Sequence, residues 1–245
     1  MEENLYQKFY EIENEHWWFK ARREIIGNFV ETKYPHPPSA ALLDIGCGTG
    51  SILKMFSQNF DVYGQDVSLQ AIDFCKKRGL KKLFCGDTAQ LPSDFTNFDI
   101  VTTLDVIEHI ENDLLTLQQV YRRLKNGGML LVTVPAFQFL WGRHDVITHH
   151  KRRYTKDSLI KVIEKAGFRI EFISYFNFFL FPIALLRRLF SRFFSGVETD
   201  DLKKPQSFIN QTLYIVFKVE GFFLPRIKYP FGLSLICMAR KINSK

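Results

Sequence analysis

The chain has 245 residues, a formal net charge of +7 at pH 7, and 46% hydrophobic and 24% charged residues. Such a length can bury a real core and is read as one domain over 1–245; the charge points to anionic company, whether nucleic acid, lipid headgroups or phosphorylated substrates. The four cysteines, Cys47, Cys75, Cys85 and Cys237, lack C-x-x-C or zinc spacing, which favours a reducing compartment and predicts no metal.

In chain order, the polar, acidic start MEENLYQKFYEIENEH lacks the basic end and apolar centre of a signal peptide, so a cytoplasmic chain is expected. Glu15 to Arg23, EHWWFKARR, follows; on a helix, Trp18, Arg22 and Ile25 share one side. Residues 1–35 are therefore read as N-terminal lid helices. The nine residues Leu42 to Gly50, LLDIGCGTG, read as a buried strand entering a glycine-rich turn. The run Asp61 to Gln65 makes a second strand ending at Asp66, and Leu83 to Cys85 a short third strand before Gly86, Asp87 and Thr88. FDIVTTLDVIEH, Phe98 to His109, holds a fourth strand, and LKNGGMLLVTVP, Leu124 to Pro135, a helix end and a fifth. Lys156 to Ala166 is a helix stopped by Gly167, Arg169 to Ser174 a strand, and Gly232 to Ala239 the last strand. Strands alternating with helices imply an α/β chain whose sheet is parallel, with helices on both faces and ligands at the carboxyl ends of the strands.

The glycines run G-x-G-x-G, not the G-x-G-x-x-G of dinucleotide sites. With Asp44 before them, and with the later segments in register from about Ala40 to Pro135, the chain resembles the class I S-adenosylmethionine-dependent methyltransferases. The resemblance implies a Rossmann-like seven-stranded sheet with an antiparallel last strand; the N-terminal helical lid and a helical insertion at 176–230, between the last two strands, are expected as departures from a minimal member of the family. The resemblance also implies S-adenosyl-L-methionine as cofactor. Asp44, Gly46, Cys47, Gly48 and Gly50 would form its loop, Asp66 its ribose ligand and Asp87 its adenine ligand, with Val67, Thr88, Leu104 and Asp105 completing the pocket. The HWWF segment followed by two arginines resembles a bacterial subgroup associated with surface-glycan and lipid pathways, and Trp17 or Trp18 would cover the methyl donor or the acceptor.

The segment from Phe176 to Pro230 carries the acceptor information. Phe178 to Phe194 makes a helix with Ala184, Arg188, Ser191, Arg192 and, just beyond, Ser195 along one side; Ser207 to Leu224 makes a second with Gln211, Tyr214 and Lys218 as a polar stripe. Wide apolar faces beside basic residues suit an interfacial helix on anionic lipid, or helices buried against each other or in a dimer; neither is long enough to span a bilayer. For a hydroxyl acceptor, a base within reach adds a factor of about 100 to 10,000. His150 is the first candidate and His109 the second, with Tyr154 also in the loop after the fifth strand, while Glu108 and Asp105 line the pocket or orient the base. Arg152 and Arg153 would grip a phosphate or carboxylate of the acceptor.

The expected activity is methyl transfer, to oxygen, on a glycan, a lipid-linked intermediate or another amphipathic acceptor. The alternatives are a quinone-precursor or RNA methyltransferase and a non-catalytic scaffold that keeps the fold. No base-stacking module accompanies the arginines, so nucleic acid is the weaker partner.

Overall fold

The computed structural model describes residues 3–34, 40–193 and 204–242. Two helices, α1 (Glu3–Ile12) and α2 (Trp17–Lys33), precede β1 (Ala41–Ile45), α3 (Ser51–Phe56), β2 (Asp61–Asp66), α4 (Leu69–Lys77) and β3 (Leu83–Cys85). Then come β4 (Phe98–Leu104), α5 (Asp113–Arg123), β5 (Leu124–Pro135), α6 (Arg143–Ile147), α7 (Lys156–Lys165) and β6 (Phe168–Phe176). Helices α8 (Phe181–Phe193) and α9 (Ser207–Phe223) fill the interval before β7 (Ser234–Lys241).

The seven strands form one sheet in the order β3-β2-β1-β4-β5-β7-β6, parallel except for β7, which runs antiparallel to both neighbours. Strand order reverses between β1 and β4. The crevice above that reversal is where ligands settle in open α/β sheets.

Burial on both faces follows from the two-residue period of the strands. Leu42, Met129 and Leu131 point into one core with Phe29 of α2 and Phe217 of α9, whereas Leu43, Ile45, Leu130 and Val132 point into the other with Leu117 of α5 and Leu159 of α7. Helix α9 seats on α2 because Gly221 admits Ile25, where a Cβ would lie 2.2 Å from the Ile25 Cγ1. The Tyr214 hydroxyl donates to Glu24, 2.8 Å away, and Lys218 pairs with the same carboxylate at 2.8 Å. Thus two of the three residues of the predicted polar stripe turn toward α2.

Two of the boundaries that differ from the sequence expectation have visible causes. The strand β5 already begins at Leu124, where a helix end was expected; its first residues pair with Phe98 before a register shift against β4. Arg123 ends α5 by donating to the carbonyls of Leu91, Pro92 and Phe95. Helix α8 starts at Phe181, not Phe178, because the buried Glu220 carboxylate takes the Phe178 and Phe179 amides at 2.7 and 3.1 Å and Asn177 has a φ of 61°. The expected Phe194 and Ser195 lie outside the described residues, as do residues 1, 2 and 35 of the lid segment. Among the described residues no helix is long and apolar enough to cross a membrane.

Candidate active site

The turn from β1 into α3 is held by β2. The Cys47 amide donates to the Gln65 carbonyl at 2.9 Å and the Gly48 amide to Asp66 Oδ2 at 3.0 Å. Gly48 and Gly50 both sit in the left-handed region, with φ of 54° and 78°, and need glycine for different reasons. A Cβ on Gly48 would meet nothing within 4 Å, so that side of the turn is free for a ligand to approach. A Cβ on Gly50 would lie 2.7 Å from Cys75 Sγ, so that glycine lets the turn pack on α4.

Two buried carboxylates flank the turn. Asp44 accepts a 2.6 Å hydrogen bond from Thr102, and burial pushes its carboxyl up to about 7. Asp66, at the end of β2, is also raised by burial, against the lowering effect of the amides of Ser68 and Gly48. Its Oδ1 accepts the Ser68 amide at 2.9 Å and faces the Tyr6 hydroxyl of α1 at 3.4 Å. Burial, then the Asp66 charge, pushes the Tyr6 phenol upward, so it stays a donor.

The C-terminal end of α1 is tied down by Glu13, whose carboxylate takes the Thr49 hydroxyl at 2.7 Å and pairs with Arg78. Arg78 in turn donates to the Thr49 carbonyl at 2.8 Å. These contacts join residues far apart in sequence and carry no local pattern, so Tyr6 and Glu13 were not legible beforehand.

A cavity of about 940 Å³ opens beside the turn. Of the residues expected at the cofactor, Asp44, Gly46, Cys47, Gly48, Leu104 and Asp105 line it. Asp66 sits behind Gly48. Val67 (69% exposed), Asp87 and Thr88 lie outside the cavity, around the ends of β2 and β3. Asp87 accepts the Ala89 amide at 2.8 Å and caps the short turn Thr88–Gln90. Trp17 and Trp18 form part of the cavity wall from α2. Next to Trp18, whose ring centroid is 5.2 Å from the Arg22 guanidinium, Arg22 binds Asp105 Oδ2 at 2.7 Å and leaves its buried Nε without a hydrogen-bond partner.

Beyond Asp105 the cavity reaches Glu108, His109 and His150. The turn Ile107–His109 follows β4, and His150 follows α6; the Lys151 amide clamps the two loops by donating to the Glu108 carbonyl at 2.7 Å. His150 Nδ1 lies 2.8 Å from Asp145 Oδ1. Asp145 is fully buried, and although burial favours its acid form, the bonds from His150 and Arg153 hold it well below the usual carboxylate range. As the acceptor, it assigns the Nδ1 proton to His150 and turns Nε2 toward Glu108.

Of the two arginines expected to grip the acceptor, Arg153 lines the cavity and Arg152 does not, and both pair with carboxylates of the protein itself. Arg153 binds both oxygens of Asp145, at 2.7 and 3.1 Å, and the Ala136 carbonyl at 3.1 Å. Arg152 binds Asp113 at 3.2 Å and the Glu111 carbonyl at 2.8 Å, away from the cavity. Tyr154 also lies away from it, donating to Asp113 at 2.7 Å, with burial first and Asp113 second pushing its phenol far up. A run of charged and aromatic residues in a loop fixes neither which of them face inward nor what they bind.

The donor set fits the expected cofactor: a carboxylate at the end of β2 for vicinal hydroxyls, an open glycine face beside it and an adjoining cavity. A family model described as a methyltransferase domain matches residues 43–132, the span from β1 to β5 that builds this crevice. Those residues form a methyltransferase domain of the class I S-adenosylmethionine-dependent kind. It is similar to a Mycolicibacterium smegmatis protein named "Probable S-adenosylmethionine-dependent methyltransferase", 27% identical over 164 residues, 65% of this chain and 62% of that relative. Among solved structures, the fold is that of the N-methyltransferase NodS of Bradyrhizobium japonicum with S-adenosyl-L-homocysteine, at a TM-score of 0.57 and 11% identity, covering 94% of this chain and 90% of NodS. The [4+2]-cyclase SpnF shares it too, at a TM-score of 0.60 and 21% identity, over 93% and 83% of the two chains. S-adenosyl-L-methionine is the cofactor of this methyltransferase.

Proposed function

We propose that this methyltransferase methylates an oxygen of an amphipathic acceptor, a glycan or lipid-linked intermediate, bound in the cavity between the glycine turn and the His109–His150 pair. The cofactor supplies an electrophilic methyl group; the protein's part is to place the acceptor oxygen in line with it. The observation that carries this reading is the composition of the cavity wall. It combines the glycine turn, the polar group of Glu108, His109 and His150, and the apolar Leu180, Ile183 and Ala184 at and just before the start of α8. A polar reacting group with an apolar tail matches that combination.

A lipid-linked acceptor is favoured by what α8 and α9 leave uncovered. Phe208, Ile215, Val219 and Phe222 fall on one stripe of α9 and are 83, 49, 48 and 60% exposed, while Ile183 and Leu186 of α8 are 62 and 55% exposed. The 3.6-residue period places that stripe opposite Phe217 and Gly221, which dock on α2. An apolar stripe on a chain of net charge +7 suits the surface of anionic lipid.

The test has two arms. Calorimetry with S-adenosylhomocysteine should give one site per chain. Vesicles of phosphatidylglycerol should sediment the native protein, and the double variant Phe208→Ser, Phe222→Ser should stay largely in the supernatant while binding the cofactor product as before. Native protein that ignores the vesicles removes the lipid-linked acceptor; failure to bind the cofactor product removes the whole reading.

A further inference from the structure

The carboxyl group of Glu108 is the most anomalous polar group around the cavity. Its residue is 0% exposed and neither side-chain oxygen has a hydrogen-bond partner. A buried carboxyl left unsatisfied costs several kcal/mol by the usual transfer scales, and both of its oxygens belong to a residue lining the cavity. Two imidazoles stand close by: the donor atoms of Glu108, His109 and His150 all lie within 4.8 Å of one another. His150 Nε2 is 4.0 Å from Glu108 Oε1, too far for a hydrogen bond. That gap is close to the separation of two ligands on opposite sides of one small cation.

Both histidines are arranged as ligands. The Nδ1–H of His150 is taken by Asp145, itself locked by Arg153 and by the Gly142 amide at 2.7 Å, so the Nε2 lone pair is aimed inward. A carboxylate holding the far nitrogen of an imidazole is the usual support behind a metal-bound histidine. His109 hydrogen-bonds the backbone of Thr148 with one ring nitrogen. Its other nitrogen is left as a lone pair.

We propose that Glu108, His109 and His150 bind one divalent transition-metal cation. Two imidazoles and one carboxylate favour zinc, manganese, iron or cobalt over magnesium or calcium, which prefer all-oxygen shells. Metal–ligand bonds of about 2.0–2.2 Å place donors no more than about 4.2 Å apart. The cluster therefore closes by small side-chain rotations around the cation. Three protein ligands leave positions open on the cavity side. On the methyltransferase reading above, on which this step rests, those positions would take oxygen atoms of the acceptor and lower the pKa of a bound hydroxyl, whose proton would pass to solvent water as the oxygen bonds the methyl carbon and S-adenosylhomocysteine leaves. His150 then acts as a ligand, and the cation activates the oxygen. Cysteine spacing could not announce such a site, because its ligands are a Glu-His pair in one loop and a histidine 41 positions later in another.

The experiment is titration of tag-free, chelator-stripped full-length protein with Co²⁺, followed by visible absorption. One Co²⁺ per chain should bind, with d–d bands typical of nitrogen and oxygen ligands. In Glu108→Gln and His150→Ala the affinity should fall at least tenfold, whereas His149→Ala, which alters the exposed neighbouring histidine, should titrate like the native chain. S-adenosylhomocysteine binding, measured in parallel by calorimetry, should persist in all three variants; that separates loss of the cation site from misfolding or from failure of the cofactor reading. Absence of saturable Co²⁺ binding by the native protein, or binding unchanged by both Glu108→Gln and His150→Ala, overturns the proposal. Intact Co²⁺ binding without S-adenosylhomocysteine binding keeps the cation site and discards the acceptor role derived from it.

Discussion

Replacing Arg153 by methionine tests whether this arginine is a structural tie or an acceptor grip. Its guanidinium meets both oxygens of Asp145, Nε at 2.7 Å and Nη2 at 3.1 Å, with side-chain exposures of 8% and 0% for the two residues. Removing one member of a buried pair strands the other's charge and costs about 3–5 kcal/mol. In a domain of this size each kcal/mol moves the melting temperature by roughly 2–4 °C, so Arg153→Met should melt about 6–20 °C lower. Asp145→Asn removes the stranded charge, so the double variant should lose clearly less than the sum of the two single losses. Because Asp145 is held below the carboxylate value of an unfolded chain, near 3.9, its contribution is complete at neutral pH and is lost as pH falls through the folded value. The gap between native and variant should therefore not narrow until the pH drops below about 4. Differential scanning calorimetry at pH 7.5, with S-adenosylhomocysteine affinity as the control, is the assay. A shift under about 2 °C, or strict additivity in the cycle, refutes the buried tie; an unshifted melt with a raised acceptor KM would restore the grip.

Three further outcomes follow from the same geometry. Asp66→Ala should weaken S-adenosylhomocysteine binding about 10- to 150-fold by calorimetry, the loss expected for one hydrogen bond to a charged acceptor, and unchanged affinity would remove Asp66 from the site. Gly48→Ala and Gly50→Ala should separate. Both pay about 1–2 kcal/mol for the left-handed backbone, but only Gly50→Ala also collides with Cys75, so it should be the less stable in urea, while Gly48→Ala should bind the cofactor product less well; equal behaviour in both assays contradicts the assigned roles. Asp44 has a folded pKa near 7, raised by burial, so the folded chain holds a proton that an unfolded aspartate has released above about 4. Native stability should thus decline as pH rises from about 4 to 7, and Asp44→Asn should show a shallower decline; parallel pH profiles of unfolding free energy would show that Asp44 does not contribute to it.

The strands β1 to β4 and the order of the cofactor segments were legible because they are local: each is a short apolar run closed by Gly or Asp, and β2 and β3 span the expected residues. The cofactor and the enzyme class followed from G-x-G-x-G with Asp44 and Asp66 in register. Tertiary structure decided the rest. Only the pairing of β4 with β5 brings Glu108 and His109 against His150; nothing in the spacing of those residues specifies a shared cavity. The same packing turns Arg153 toward Asp145 and Tyr154 toward Asp113, although all four were visible as polar residues. Tyr6 and Glu13 reach Asp66 and Thr49 because α1 folds across the carboxyl ends of the strands, a contact between residues 60 and 36 positions apart. Sequence thus determined the backbone turn that suits a nucleoside, since glycine conformation is a local property. Which side chains surround it depends on burial and pairing between distant segments, which the chain acquires only when its sheet closes.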